Sequence, residues 1–543
     1  MDPVVTILVL LLAVIISGSL ARFSRLPLPL VQIALGAVIA VSVVPTVELK
    51  PDLFFLLFLP PLLFLDGWRI PKEDLLRDRA IVLELALGLV VLTVVGVGWL
   101  IHLMIPAMPL PVAFALAAVI SPTDPIAVSA IAARAPIPKR MMHILEGESL
   151  LNDASGLVCM RFAVAAMLTG AFSLQQAFVT FLWVALGGVA IGVCVTWLTT
   201  RAKQWLTRRL GEDTSAQILV SLLIPFGAYL FAEHFHCSGI LAAVAAGITM
   251  SFTEQSGESL AVTRVRRTAV WDTVQFAANG IIFVLLGEQM PGILQKAAET
   301  VRLTGHHETW WLAIYVLAIS VALGATRFAW VWTSLRWTLF RAHRRGERPP
   351  KIGWRLVLGM SFAGVRGAIT LAGVLTLPLT LTDGTAFPAR DLAIFLAAGV
   401  IIVSLLVASV GLPRALRNLV LPPEPSHQAE IDQARAVAAQ AAIQAIETAQ
   451  HALGEGRDDA DLYTDASARI MELYRQRIDG RLQTPEAAAI NRKVEQIERQ
   501  LRVAGLGAER DAIFRMVRER VLDGEAARKI VREIDLLEAR YRI

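Results

Sequence analysis

The chain has 543 residues, of which 55% are hydrophobic and only 18% charged, with a formal net charge of +5. A water-soluble core of that length cannot hide so much apolar side chain, which excludes a soluble enzyme or binding module and points to a polytopic membrane protein. The small excess of Lys and Arg lies in short connecting stretches, where it bears on membrane topology and not on nucleic acid.

The first apolar run, Val4 to Leu20, has no Lys or Arg ahead of it. It lacks the basic leader of a signal peptide and reads as a retained span. Apolar runs of membrane-crossing length then recur about 13 times. Their centres lie near Ala13, Gly36, Pro60, Val91, Ser121, Val158, Gly188, Leu223, Val244, Gly280, Ile319, Ala363 and Val400. Cys159, Cys194 and Cys237 sit inside these runs without paired spacing, as small packing residues and not as a disulfide or metal set.

Basic residues give the runs a direction. They cluster after the odd-numbered spans, as Arg22 and Arg25, Arg69 to Arg79, Arg134 to Arg140, Arg201 to Arg209, Arg264 to Arg267 and Arg341 to Lys351. After the even-numbered spans there is little beyond Lys50, Lys296, Arg302 and Arg390. Lys and Arg concentrate in cytoplasmic loops, so the N-terminus is expected outside and the C-terminus in the cytoplasm. About thirteen spans divide as six, one linker and six, so each span of the second set enters the membrane opposite in sense to its partner in the first. Such an inverted repeat requires that a break in the fifth span be matched in the twelfth.

The fifth span is broken by Ser121-Pro122-Thr123-Asp124-Pro125, and the twelfth carries Gly364-Val365-Arg366-Gly367. Two prolines free backbone groups that lipid cannot satisfy, which is tolerable only inside protein or beside a wet cavity. Ionisable side chains at that depth mark a substrate or proton path. In the sixth span, Glu148, Ser149, Asn152 and Asp153 fall three and four residues apart on roughly one helical face. Hydroxyl, amide and carboxylate oxygens of this kind replace the water around a hard monovalent cation, with Thr123 and Asp124 of the broken span as the opposite wall.

Asp153 reads as the group that carries a proton in one half-cycle and a cation in the other. Its neighbour Asn152 does not titrate, so one proton exchanges per monovalent cation and no net charge moves. Arg366, alone in mid-span, calls for a carboxylate, and Glu148 is the best placed, with Glu84 and Asp66 as alternatives. The pairings of Arg161 and Arg327 with Glu84, Asp66 or Asp272 stay open from sequence.

After Leu421 the composition changes abruptly. Pro422 to Ser426 closes the membrane part, and residues 422–543 are rich in Ala, Glu, Gln and Arg at helical spacing, a cytoplasmic helical domain with no dinucleotide fingerprint.

The stretches FLPPLLFLDG (Phe58 to Gly67), SPTDPIAV (Ser121 to Val128), GESLLNDASGLV (Gly147 to Val158) and GVRGAITLA (Gly364 to Ala372) resemble the monovalent cation:proton antiporters of the bacterial NhaP type and the animal sodium/proton exchangers. The resemblance covers residues 1 to 415 and all four motifs in order. It implies an all-α fold with two inverted repeats whose unwound helices cross. It also implies a homodimer, with a mobile core near residues 79–170 and 308–413 and a dimerisation domain near 1–68 and 214–290. It makes Asp153 the exchanging carboxylate, Asn152 its electroneutral-branch neighbour, Asp124, Thr123 and Ser149 cation-coordinating positions, and Glu148 with Arg366 a structural ion pair. Ala277-Ala278-Asn279 in the tenth span departs from the pattern. No cofactor is implied, only transported Na⁺, Li⁺ or K⁺ and H⁺ in a bacterial cytoplasmic membrane. A cation channel or uniporter is the main rival. A serine hydrolase built on Ser155 would need a histidine that no span supplies at mid-depth.

Overall fold

A computed structural model of the chain describes residues 3–24, 26–42, 51–70, 79–125, 128, 137, 139–169, 174–254, 260–303, 310–344, 353–381, 383–417, 427–454, 460–479 and 485–542. The chain divides into two units, Met1–Val420 and Leu421–Ile543. The described residues form helices and no strands, with one isolated bridge between Thr380 and Ala386.

In the first unit the helices run α1 (Pro3–Ser24), α2 (Leu28–Ser42), α3 (Pro51–Arg69), α4 (Arg79–Leu83), a π-helical turn (Glu84–Gly88), α5 (Leu89–Met104), α6 (Leu110–Ile120) and α7 (Lys139–Thr169). They continue as α8 (Leu174–Leu210), α9 (Thr214–His234), α10 (Gly239–Glu254), α11 (Ala261–Leu303) and α12 (Trp311–Arg344). The last three are α13 (Trp354–Phe362), α14 (Ala368–Leu375) and α15 (Arg390–Leu416). Every predicted span centre falls inside a helix or at a helix break. Among the described residues, eight helices are long and apolar enough to cross a membrane, and the shorter apolar helices Leu28–Val41, Leu110–Ile120 and Gly239–Glu254 lie at predicted spans two, five and nine.

The apolar side chains are inside out by the standard of a soluble protein. Leu8, Ile15, Val95, Trp183, Leu186, Leu223 and Val321 are exposed, each more than half open to the surroundings. An apolar exterior of this kind is stable against hydrocarbon and not against water.

Two sets of helices pack within the unit. In one, α2 lies on α11, α3 on α10, and α8 and α9 on α10; in the other, α5, α6 and α7 pack in series and α12, α13 and α14 gather on α15. The closest pairings, α2 with α11 and α3 with α10, exchange with each other when every span is replaced by its repeat partner, as an inverted repeat demands. Both contacts are made backbone to backbone through glycine. A Cβ on Gly247 would lie 2.0 Å from the Phe64 carbonyl oxygen, and one on Gly287 would lie 1.9 Å from that of Ile33. Small residues let helices gain dispersion contact where no hydrophobic effect draws them together in lipid.

Polar contacts sort the helix ends. Arg69 at the end of α3 pairs with Asp272 near the start of α11, and Arg267 of α11 pairs with Glu254 at the end of α10. Glu212, between α8 and α9, accepts from Thr263 Oγ1 at 2.6 Å. The loops after spans three, seven and nine therefore gather at one end. At the other, Arg161 late in α7 pairs with Glu233 late in α9 at 2.9 Å, and the Ser238 amide donates to Val184 O at 3.0 Å. This division matches the basic-residue pattern.

The second unit contains α16 (His427–Gly454), α17 (Ala460–Asp479), α18 (Pro485–Arg518) and α19 (Gly524–Arg542), with α16 packed on α17 and α18 on α19. Ser467 donates to Gln450 Oε1 at 2.7 Å in the first pair; Arg510 binds Asp535 at 2.9 Å and also Glu538 in the second.

Candidate functional site

The fifth and twelfth spans are both broken, and the breaks touch. α6 stops at Ile120 and residues 122–124 are not helical; α13 stops at Phe362 and helix resumes only at Ala368. Across the gap the Asp124 amide donates to the Val365 carbonyl at 2.7 Å. This bond satisfies two backbone groups that the breaks set free, which explains why interrupted helices are tolerated at this depth. Residues 126 and 127 and most of 129–138, the second half of the fifth span, lie outside the described residues.

Close approach sets the local sequence. Gly367 has extended backbone, with φ of −128°, and a Cβ there would stand 1.9 Å from Asp124 Oδ2. A Cβ on Gly364 would stand 2.7 Å from the Arg327 Cδ. The glycines of the twelfth span thus make room for two charged side chains, a stronger role than loosening a helix.

A small cavity opens where the breaks meet α7, α3 and α11. Thr123, Asp124, Ser149 and Asp153 all line it, together with Gly367 and Thr370. Asp153 is 3% exposed, and its Oδ2 accepts from Ser149 Oγ at 3.4 Å. The structure therefore brings four of the five predicted cation-binding residues to one cavity. Asn152 stands behind them. Its Nδ2 donates to Thr123 Oγ1 at 3.1 Å, and Thr123 Oγ1 lies 3.4 Å from Glu148 Oε1. Asn152 holds Thr123 in place, while its own Oδ1 is buried without a hydrogen-bond partner among the described residues.

The predicted Glu148–Arg366 pair is corrected. Glu148, fully buried, is gripped by both terminal nitrogens of Arg327, with Nη2 to Oε2 at 2.8 Å, and Arg327 Nε donates to Met360 O at 3.0 Å. This two-pronged geometry is the form in which a buried ion pair best offsets its desolvation. Arg366 is also buried, and its guanidinium donates to carbonyls instead, Nε to Ile120 O at 3.0 Å and Nη1 to Gly364 O. Ile120 is the last residue of α6 and Gly364 lies in the second break, so Arg366 caps the orphan carbonyls of the crossing. The other open pairings resolve as Arg161 with Glu233 and Arg69 with Asp272.

Three polar cavity residues were missed as site residues from sequence, Asp66 of α3, Asn279 of α11 and Thr370 of α14. The signal for Asp66 was its place within a membrane span, where any carboxylate is costly. Ser155 Oγ lies 2.9 Å from Ala86 O and 3.1 Å from Asn152 O, so its hydroxyl serves the backbone.

Residues 7–418 match the family described as sodium/hydrogen exchanger, transmembrane. The chain is 43% identical over 99% of both chains to an uncharacterised Na⁺/H⁺ exchanger, YjcE, of Escherichia coli. It is 39% identical to a sodium, potassium, lithium and rubidium/H⁺ antiporter of Bacillus subtilis, over all of this chain and 78% of that one. In fold it is similar to the sodium proton antiporter MjNhaP1 of Methanocaldococcus jannaschii, with a TM-score of 0.59 and 17% identity over 77% of this chain and 99% of that one. Broken helices that cross over a carboxylate-lined cavity, in a chain matched almost from end to end by such relatives, place this protein in the sodium/hydrogen exchanger family.

Proposed function

We propose that the protein exchanges a monovalent cation, Na⁺ first and Li⁺ or K⁺ also, for H⁺ across a bacterial cytoplasmic membrane, one for one. The observation that carries this reading is the convergence of Asp153 and Asp124 on one cavity where the two breaks meet. A cation entering the cavity finds the Asp153 and Asp124 carboxylates and the Ser149 and Thr123 hydroxyls, all oxygen donors of the kind that replace a hydration shell. When the cation leaves, a proton takes its place on Asp153, and since a single carboxylate cannot hold both, each ion drives the other's release. The names of the Bacillus relatives, which include potassium and lithium, support a broad choice of cation.

Alternation of access is assigned to movement of the helices that carry the crossing, near residues 79–170 and 308–413, against a dimerisation domain near 1–68 and 214–290. The protein works as a homodimer of chains of about thirteen spans, with the N-terminus outside and the C-terminus in the cytoplasm. Its service to the cell is control of internal pH and sodium.

The test is reconstitution of the protein in liposomes loaded with a pH-sensitive dye. Imposed gradients of Na⁺, Li⁺ or K⁺ drive protons in the opposite direction, and clamping the voltage leaves the extent unchanged. Cation movement that follows voltage and ignores the proton gradient would establish the channel reading instead.

A further inference from the structure

We infer that α18 of the tail carries a coiled-coil seam, and that its occupant is the same seam of a second copy of this chain, the two helices running parallel. This rests on the homodimer reading and gives the tail a part in that assembly.

α18 meets α19 along one face. Leu506 is buried there, Arg510 reaches Asp535 at 2.9 Å and also Glu538, and Arg502 Nη1 donates to the Tyr541 hydroxyl at 3.0 Å. Roughly half a turn round the helix from that face stand Ile490, Val494, Ile497 and Leu501, between 47% and 68% exposed. They follow one another at intervals of four, three and four residues, and Ala504 and Ala508 continue the alternation. This is the heptad repeat, with Val494, Leu501 and Ala508 at position a and Ile490, Ile497 and Ala504 at position d.

The width of the stripe bears on what covers it. The four large side chains fall within roughly 60° of the helix surface, narrower than the ~100° stripe of a helix entering a globular core and in keeping with a coiled-coil seam. A lipid surface fits less well, because helices that lie on membranes carry Lys and Arg beside the apolar face, and here the acidic Glu498 flanks it. The flanking charges select partner and direction. In a parallel pair in register, position g of one heptad faces position e of the next heptad on the other helix. Lys493 is at g and Glu498 at e, both exposed, so each copy offers a lysine to the other's glutamate and the seam is complementary to itself. Glu498 accepts from Arg502 of its own helix at 2.5 Å through Oε1, and the lysine would take Oε2.

The test uses the full chain with Cys159, Cys194 and Cys237 replaced by alanine and a single cysteine added, oxidised mildly in membranes and read as mass on a denaturing gel. Leu501→Cys and Ile497→Cys should each convert most of the protein to a disulfide-linked dimer. Arg499→Cys, turned away from the seam, should give about tenfold less. In the Leu501→Cys chain, Lys493→Glu sets like charges across both flanks and should slow dimer formation about fivefold; adding Glu498→Lys should restore it. Equal cross-linking at positions 499 and 501, a product of any other mass, or no rescue by the charge swap would each overturn the assignment. So would the absence of dimer at both seam positions, the result expected if Leu462, Ile470 and Leu473 of α17 cover the seam within one chain. A dimeric mass for the wild-type chain in detergent without the seam disulfide would overturn the seam alone, whereas a monomeric mass would sink the homodimer reading with it.

Discussion

Glu148 and Arg327 show how much of the residue-scale organisation depends on rotation of helices about their axes. Spacing along α7 placed Glu148 on the face of Ser149, Asn152 and Asp153, and mid-membrane depth required a cation opposite it. The sequence offered Arg366 for that role and left Arg327 to Glu84, Asp66 or Asp272. The one that reaches Glu148 is Arg327, whose aliphatic stem passes over Gly364. An arginine that passes within van der Waals range of a glycine leaves no trace in the sequence of either span.

The exchange of partners changes what a mutation should do. Removing one member of a buried pair leaves an uncompensated charge, so Arg327→Met should destabilise the protein by about 3 to 5 kcal/mol. The double variant Glu148→Gln with Arg327→Met should recover most of that loss, as read from thermal unfolding in detergent. A double variant no more stable than Arg327→Met alone would argue against the pairing. Arg366→Met strips carbonyl caps and should lower transport more than stability.

At the scale of elements, the repeat relation was legible in composition. Both breaks were foreseen, the fifth span from Pro122 and Pro125 and the twelfth from glycines at the matching depth. The hydrogen bond from Asp124 to Val365 that joins them was not, because it depends on how two non-helical segments cross. Gly367 is the position where this matters most. Gly367→Ala puts a methyl where Asp124 Oδ2 now lies, and a clash of this size shifts backbone or side chain. Exchange should fall at least tenfold, a loss equivalent to about 1.4 kcal/mol, with near-normal yield and unfolding temperature. Wild-type exchange by Gly367→Ala would show that the position of Asp124 is not critical.

Helix pairing in the remainder of the first unit follows from small residues, which sequence displays but does not pair. Gly247 approaches Phe64 O and Gly287 approaches Ile33 O. Substituting Val for Gly247 forces α10 from α3, and an overpacking penalty of about 1 to 3 kcal/mol is expected in the unfolding transition.

For the whole molecule, the family match ends at residue 418 and the first compact unit at Val420. The abrupt change in composition after Leu421 made this boundary visible from the sequence. The four tail helices have a thin interior, with Ala439, Leu506, Ala527 and Ile534 among their few buried apolar residues. A chain truncated after Ser426 should therefore keep cation-driven proton movement in liposomes, and complete loss of exchange in a well-expressed truncation would show that the tail is part of the transport machinery. The choice among Na⁺, Li⁺ and K⁺ was never legible, since it rests on small differences in cavity size.

The central claim is that one carboxylate, Asp153, holds a proton and a cation by turns. Proton release on adding Na⁺ to purified protein in weakly buffered detergent solution measures this without any gradient. The wild-type protein should release one proton per chain, with apparent Na⁺ affinity weakening by up to about tenfold per unit fall in pH as protons compete for the group. Asp153→Asn, folded and of normal unfolding temperature, should release none. Equal release from Asp153→Asn, or saturable Na⁺ binding by the wild-type protein with no proton released, would contradict the account.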